Sequence, residues 1–190
     1  MISETVLFHS LASSERPRRQ MPLFDFLTGS KSPASGTAQQ PAATLRTALL
    51  ALNRDTAPWH IRDGAAENVD LVAEWKIVDE GWFEIFAKAS LSKTFKILMK
   101  LDEARHEVRA VDQEWTVEWR AGIPSLALSA EAFRGQKTEI SFGTAIGFRE
   151  NLSPGVIYDY RFATGEIKTP LQNAVLANGW RWQAVAFGKL

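Results

Sequence analysis

The carboxylates are the first residues to consider as catalysts, because an aspartate or glutamate in a dry pocket can act as a general acid or base. Asp159 stands between two tyrosines, and these neighbours make it one candidate base. Glu118 is a second candidate, since it shares a strand face with Glu114 and Thr116. Most carboxylates are solvated because burying an unpaired charge is costly. We therefore expect both candidates to be solvated unless the fold encloses them.

Metal and nucleophile patterns are missing from the sequence. The histidines are His9, His60 and His106, and they form neither an HxH nor an HExxH pattern. The chain has no cysteine, which excludes disulfides, thiolate metal sites and cysteine nucleophiles. No serine lies in the GxSxG pattern of a nucleophile elbow. We therefore expect no metal site and no cofactor.

The basic residues give little support for a nucleic-acid partner. Four lysines, Lys88, Lys93, Lys96 and Lys100, are interleaved with phenylalanines, as in some single-strand binders. The chain as a whole balances 22 basic against 22 acidic residues, and its sequence pI is about 6.9. A basic stripe is the usual electrostatic footprint of such binding. We interpret the lysines as a solvated sheet face and expect no nucleic-acid partner.

Tryptophan is the most unusual component of the composition, with seven residues in the chain. Trp115 and Trp119 share one strand face, and Trp182 shares another with Trp180. A tryptophan cluster serves either as a core or as the wall of an apolar pocket, and the core is the commoner role. If a pocket exists, the sequence predicts that Trp75, Trp115, Trp119 and Trp182 line it.

A stretch of small residues could form another part of such a pocket. Residues 140–148 alternate between large apolar side chains and a face that includes Gly143 and Gly147. Small residues in a strand allow a backbone, a helix or a flat ligand to approach closely. Packing within the protein is the commoner reason, and ligand contact at Gly143 and Gly147 is the alternative.

Length and composition predict one soluble domain. The 190 residues are 45% hydrophobic, which is enough for a sizeable core. No apolar run approaches the roughly 18 residues that a membrane-spanning helix needs, so we expect no membrane span. The N-terminal Val6-Leu7-Phe8 run is too short for a signal peptide. These features are compatible with a cytoplasmic location, which we predict.

The first 41 residues are interpreted as a flexible tail and linker, and residues 42–190 as a single globular domain. Residues 28–41 are rich in Gly, Ser and Pro. Met21 begins an apolar segment after an arginine-rich stretch, so it is a possible alternative start. The cluster at residues 24–27 could dock on the domain, a partner or a lipid surface.

The middle of the chain predicts mainly strands. A helix is expected over residues 42–53, where leucines recur at helical spacing. Period-two alternation predicts strands at residues 59–62, 69–77, 95–101, 108–111, 115–119 and 126–132. Asp79-Glu80-Gly81 is interpreted as a hairpin loop with glycine in the left-handed conformation. Residues 82–91 fit both a strand and a helix, and the loop before them favours the strand.

The C-terminal residues predict a strand, a short helix and a further strand. Residues 156–162 and 180–187 alternate as strands do. Between them, Thr169 is predicted to cap a helix with Pro170 in its first position, and Asn178-Gly179 is predicted to end it. A helix this short must bury its apolar stripe on a sheet.

Together these elements predict a β-rich α+β domain. We expect a curved antiparallel sheet or a partly closed barrel of about seven to nine strands, with an N-terminal helix and a short C-terminal helix packed on the sheet. The favoured function is non-enzymatic binding of an apolar or lipid-like small molecule. One alternative is a protein–protein interaction or accessory module that uses a sheet edge, and another is a carboxylate-dependent enzyme.

Overall fold

A computed structural model describes residues 29–88, 91–128, 134–135, 148–149, 159–160, 164–185 and 190. These residues form an α+β fold, as the sequence predicts. The described helices are α1 (Ala42–Leu50), α2 (Phe83–Lys88) and α3 (Thr164–Ala177), with a short 3-10 helix at Ala65–Glu67. The predicted strand at residues 140–148, including Gly143 and Gly147, lies outside the described residues except for Phe148. Met21 and the 24–27 cluster also lie outside them.

The strands follow one another mostly as an antiparallel meander. The strand bounds are β1 (Trp59–Asp63), β2 (Leu71–Trp75), β3 (Lys93–Asp102), β4 (Glu107–Arg120), β5 (Ile123–Leu128), β6 (Arg134–Gly135), β7 (Phe148–Arg149), β8 (Asp159–Tyr160) and β9 (Arg181–Ala184). β1 to β5 pair in sequence order, and β7 pairs with β8 in a separate small ladder.

The long strand β4 is the centre of the main sheet. β3 covers one of its edges, and the other edge is shared by β9, β6 and β5 in turn. β9 runs parallel to β4, so the prediction of an all-antiparallel sheet is wrong. Alternation in a sequence identifies a strand but not its direction, which here depends on where α3 returns the chain. The described sheet is mixed and not closed, and the partly closed barrel, which we gave as the alternative to a curved sheet, is not observed among the described residues.

The main hydrophobic core lies between one face of the sheet, called here the first face, and the helices. α1 and α3 contribute Leu45, Leu49, Ile167, Leu171 and Val175, all of which are fully buried. Fully burying such a side chain stabilises a fold by about 1.5–3 kcal/mol. The sheet contributes aliphatic and aromatic side chains to the same core, among them Trp59, Ile61, Leu71, Trp75, Phe95, Ile97, Met99 and Trp182.

Residues 82–91 contain helix α2, so the preference for a strand there is wrong. The Asp79 carboxylate accepts a hydrogen bond from the Gly81 N–H at 2.9 Å, and the Trp82 N–H donates to the Asp79 carbonyl. This turn leads into a helix instead of a hairpin, and β2 pairs with β3. Phe86 decides the outcome, because the helix buries it edge-on against Trp75 at 6.4 Å between ring centroids.

α3 begins at Thr164, five residues before the predicted cap, and Pro170 lies inside it. Proline has no backbone N–H and therefore cannot donate a hydrogen bond within the helix. A proline well inside a helix normally costs about 3 kcal/mol of stability. The earlier start buries Ile167 in line with Leu171 and Val175, which offsets that cost. The predicted end is confirmed, since the helix stops at Ala177 and Gly179 adopts a left-handed φ of 75°.

The described residues before α1 lie against the C-terminal elements. Lys31 and Trp182 exchange two backbone hydrogen bonds of 2.8 Å, and the Ser30 hydroxyl accepts from the Ala184 N–H. The Gln40 carbonyl accepts from the indole N–H of Trp180 at 2.6 Å. Residues 29–41 therefore form hydrogen bonds along β9 and at the end of α3.

A side chain forms hydrogen bonds with the backbone of the edge strand β1. The Asn53 amide donates to the Ile61 carbonyl at 2.8 Å, and its oxygen accepts from the Ile61 N–H at 2.6 Å. The amide thus replaces a neighbouring strand at this residue. α1, whose predicted existence is confirmed, holds Asn53 in position because its last turn ends just before it.

Candidate functional site

The four tryptophans that the sequence suggests for a pocket lie in different surroundings. Trp75 and Trp182 are buried in the main core. Trp119 packs against that core and donates its indole N–H to the Leu91 carbonyl at 2.7 Å. Trp115 faces the opposite side of the sheet, where its ring contacts Lys96. Within the described part of the chain, these residues do not form one wall.

Glu118 and Asp159, the other predicted site residues that the structure describes, belong to two different sheets. Glu118 has an exposed carboxylate that pairs with Arg120 at 3.4 Å, as a solvated strand residue does. Asp159 belongs to β8, where it pairs with Arg149 in the ladder to β7. Gly143 and Gly147 lie outside the described residues.

A group of side chains lies on the sheet face opposite the main core, called here the second face. Thr94 lies opposite Trp115 in the ladder between β3 and β4, and Lys96 lies opposite Gln113. Directly opposite residues point to the same face with their Cβ atoms about 5 Å apart. We call Thr94, Lys96, Gln113 and Trp115 the β3–β4 patch.

Two buried hydrogen-bonding groups of the β3–β4 patch have no partner among the described residues. They are the Thr94 hydroxyl and the Trp115 indole N–H. Thr94 is only 2% exposed, and Gln113 beside it is 7% exposed. A buried polar group without a hydrogen bond costs about 1–3 kcal/mol, so these two groups lower the stability of the fold.

The Lys96 ammonium adds a positive charge to the patch. It lies 4.6 Å from the centroid of the Trp115 ring and 2.8 Å from the Glu74 carboxylate. Glu74 in turn accepts from the Arg62 Nε at 2.6 Å and lies 3.3 Å from the His60 Nε2. Burial alone would raise the pKa of Glu74, but hydrogen bonds from His60, Arg62 and Lys96 outweigh it and hold that pKa far below the ordinary range.

This electrostatic arrangement predicts a pH-dependent loss of stability on replacing Glu74. We expect Glu74→Gln to lower the free energy of unfolding at pH 7 by about 2 kcal/mol, because it removes charge-assisted hydrogen bonds. The folded pKa is depressed, so this stabilisation is complete above the unfolded value of about 4.3 and is lost as the pH falls below it. Urea unfolding at pH 7 and pH 3 measures the difference.

The control for this prediction is Glu118→Gln, whose carboxylate is exposed. We expect it to change the free energy of unfolding by less than about 0.5 kcal/mol at both pH values. A gap between wild type and Glu74→Gln that stays constant down to pH 3 would contradict the assignment.

Two further carboxylates are buried on the first face. Asp112 is 1% exposed and accepts from the Lys168 ammonium of α3 at 2.6 Å. Glu114 is 5% exposed and accepts from Lys93 at 3.0 Å. Both lie opposite core residues of β3, so they interrupt the apolar pattern of Val108 and Ala110. These ion pairs fasten the middle of β4 to neighbouring elements.

Sequence reasoning missed Thr94, Gln113 and Asp112 as residues of interest, and it interpreted Lys96 as solvated. The sequence contains one signal that could have found the polar centre of β4. Asp112-Gln113-Glu114 is a polar triplet inside a strand whose flanks are apolar on both faces. Such a triplet in the middle of a sheet requires partners on both sides.

The described residues contain no group of three His, Cys, Asp or Glu side chains that could hold a metal ion. None of the described helices combines the length and apolarity needed to cross a membrane. The fold and the patch together define an α+β domain with an open mixed sheet and a polar patch on its second face. No protein-family model, curated protein or solved structure matches the chain.

Proposed function

We propose that this chain is a non-enzymatic binding domain for an apolar or lipid-like small molecule whose polar head lies at the β3–β4 patch. The observation that carries the proposal is the pair of buried donors, the Thr94 hydroxyl and the Trp115 indole N–H, on directly opposite residues. One ligand oxygen between them would accept from both. The ligand would then supply the hydrogen bonds that these two groups lack among the described residues.

The neighbouring side chains on the second face suit an apolar ligand body. Leu98 and Val111 lie two residues further along β3 and β4, where they are buried with Val72 of β2 and with Val185 in a second apolar cluster. The Trp115 ring is half-buried and offers a large flat surface at the other end of the patch. An amphiphilic molecule would place its apolar body against this ring.

The charges around the patch favour binding over proton transfer. A general acid or base works best when its pKa lies near the working pH. The pKa of Glu74 is held far below that range by its cationic neighbours. Glu74 therefore stays ionised at neutral pH, where it orients Lys96 and Arg62 instead of exchanging protons with a substrate.

Thr94→Val provides the sharpest test, because it should move stability and binding in opposite directions. Valine has nearly the shape of threonine without the hydroxyl. The change should raise the free energy of unfolding by about 1 kcal/mol, since a buried unpaired hydroxyl disappears. It should also weaken ligand binding about tenfold, which corresponds to about 1.4 kcal/mol. Urea unfolding and native mass spectrometry with added dodecanol measure the two effects.

The matched control is Thr116→Val, which makes the same change on β4 at a residue that belongs to no part of the patch. It should leave dodecanol binding unchanged. If the wild-type protein retains no small molecule from expression and binds no dodecanol, the proposed function is wrong. If Thr94→Val and Thr116→Val bind equally well, the patch is not the site.

A further inference from the structure

The positive charge of the patch, on the Lys96 ammonium, can interact with a ligand as well as with Glu74. It binds one carboxylate oxygen of Glu74 at 2.8 Å and faces the Trp115 ring. The other Glu74 oxygen is held by the Arg62 Nε at 2.6 Å, so Glu74 keeps a cationic partner if Lys96 turns toward the patch. Arg62 is itself fastened to Glu67.

We infer that the head group of the ligand is a singly charged carboxylate. This inference rests on the proposed function of the same patch. A carboxylate only accepts hydrogen bonds, through two oxygens. The Thr94 hydroxyl and the Trp115 indole N–H supply two donors on facing residues, and the Lys96 ammonium supplies a third with a positive charge. An amine head group would instead add donors beside the indole N–H and a cation beside Lys96.

The charges around the patch favour one negative charge on the ligand over two. Arg62 and Lys96 together balance Glu67 and Glu74, so these four groups carry no net charge. A carboxylate adds one negative charge to this balanced set, whereas a phosphate monoester adds about two at neutral pH. The next cations on this face, Lys100 and Arg109, lie beyond Leu98 and Val111.

The experiment compares three probes that share one alkyl chain: dodecanoate, dodecanol and dodecylamine. Each is titrated into the intact protein at pH 7 and followed by tryptophan fluorescence and native mass spectrometry. We expect dodecanoate to bind at least about tenfold more tightly than dodecanol and dodecylamine to bind most weakly. Lys96→Met should remove the preference for dodecanoate while dodecanol still binds.

The control Lys100→Met removes an exposed lysine from the same face of the same strand and should keep the preference. The ratio of two affinities on one variant does not depend on the folded fraction, so a loss of stability in Lys96→Met does not affect it. If dodecanoate and dodecanol bind equally tightly and Thr94→Val weakens both, the head group is not specifically a carboxylate. The proposed function would still hold in that case. Tightest binding of dodecylamine would also contradict a carboxylate head group. If no probe binds, both proposals are wrong.

Discussion

Lys168→Met should lower the free energy of unfolding by about 3–5 kcal/mol, because it breaks a buried ion pair from one side. Lys168 lies on α3 and donates to Asp112 on β4 at 2.6 Å. The Asp112 carboxylate is 1% exposed and would lose this charged partner in a place that water does not reach. Urea unfolding monitored by tryptophan fluorescence measures the loss.

The double variant Asp112→Leu with Lys168→Met separates the ion pair from the packing of its atoms. Replacing a buried pair by apolar residues of similar size is often neutral or stabilising, so the double variant should be more stable than Lys168→Met alone. Arg120→Met is the surface control, since Arg120 pairs with Glu118 in solvent and should cost less than about 1 kcal/mol. A loss below 1 kcal/mol in Lys168→Met would mean that Asp112 does not depend on the lysine.

Gly179→Ala should destabilise the protein by at least about 3 kcal/mol through two separate effects. Gly179 has a φ of 75°, which costs an L-residue about 1–2 kcal/mol. An added Cβ would also lie 2.4 Å from the Ala38 carbonyl oxygen and 2.7 Å from its carbon. These are backbone atoms of a segment that Gln40 fastens to Asn178 and Trp180, so they cannot move without breaking hydrogen bonds.

Gly36→Ala isolates the first effect, because Gly36 also has a positive φ, of 82°, but nothing lies within 4 Å of its Cβ position. It should cost only about 1–2 kcal/mol. The difference between the variants measures the contact between residues 38–40 and the end of α3. Limited proteolysis gives a second readout, since Gly179→Ala should accelerate cleavage after Lys31. Equal losses in both variants would show that the contact contributes nothing.

Local periodicity predicted much of the secondary structure. The helix α1, the end of α3 and the strands β1 to β3 follow from patterns of neighbouring residues, because side-chain spacing determines which face of an element can be buried. β4 was predicted as two separate strands, and β5 begins three residues before its predicted start. α2 was mistaken for a strand because a six-residue segment fits both periods. Phe86 then decided for the helix through Trp75, a residue whose position only the fold defines.

The candidate site was predictable only in part. Trp115 was expected to contact a ligand, but its neighbours Thr94 and Lys96 are about 20 residues away in sequence and reach it through the register of β3 on β4. Register depends on the turn between two strands and on the burial of one whole face, and neither is visible in a single residue pattern. The same limit concealed the pairing of Lys168 with Asp112.

The sequence by itself determined an α+β domain with two of its helices and most of its strands, because helical and strand periodicity arise between residues only a few positions apart. Tertiary structure alone decided that β9 runs parallel to β4 and that Lys31 forms an antiparallel bridge with Trp182 of β9. It also decided which polar groups of β3 and β4 meet on the second face. These features depend on contacts between distant parts of the chain, whose free energy is gained only when the sheet and helices exclude water together.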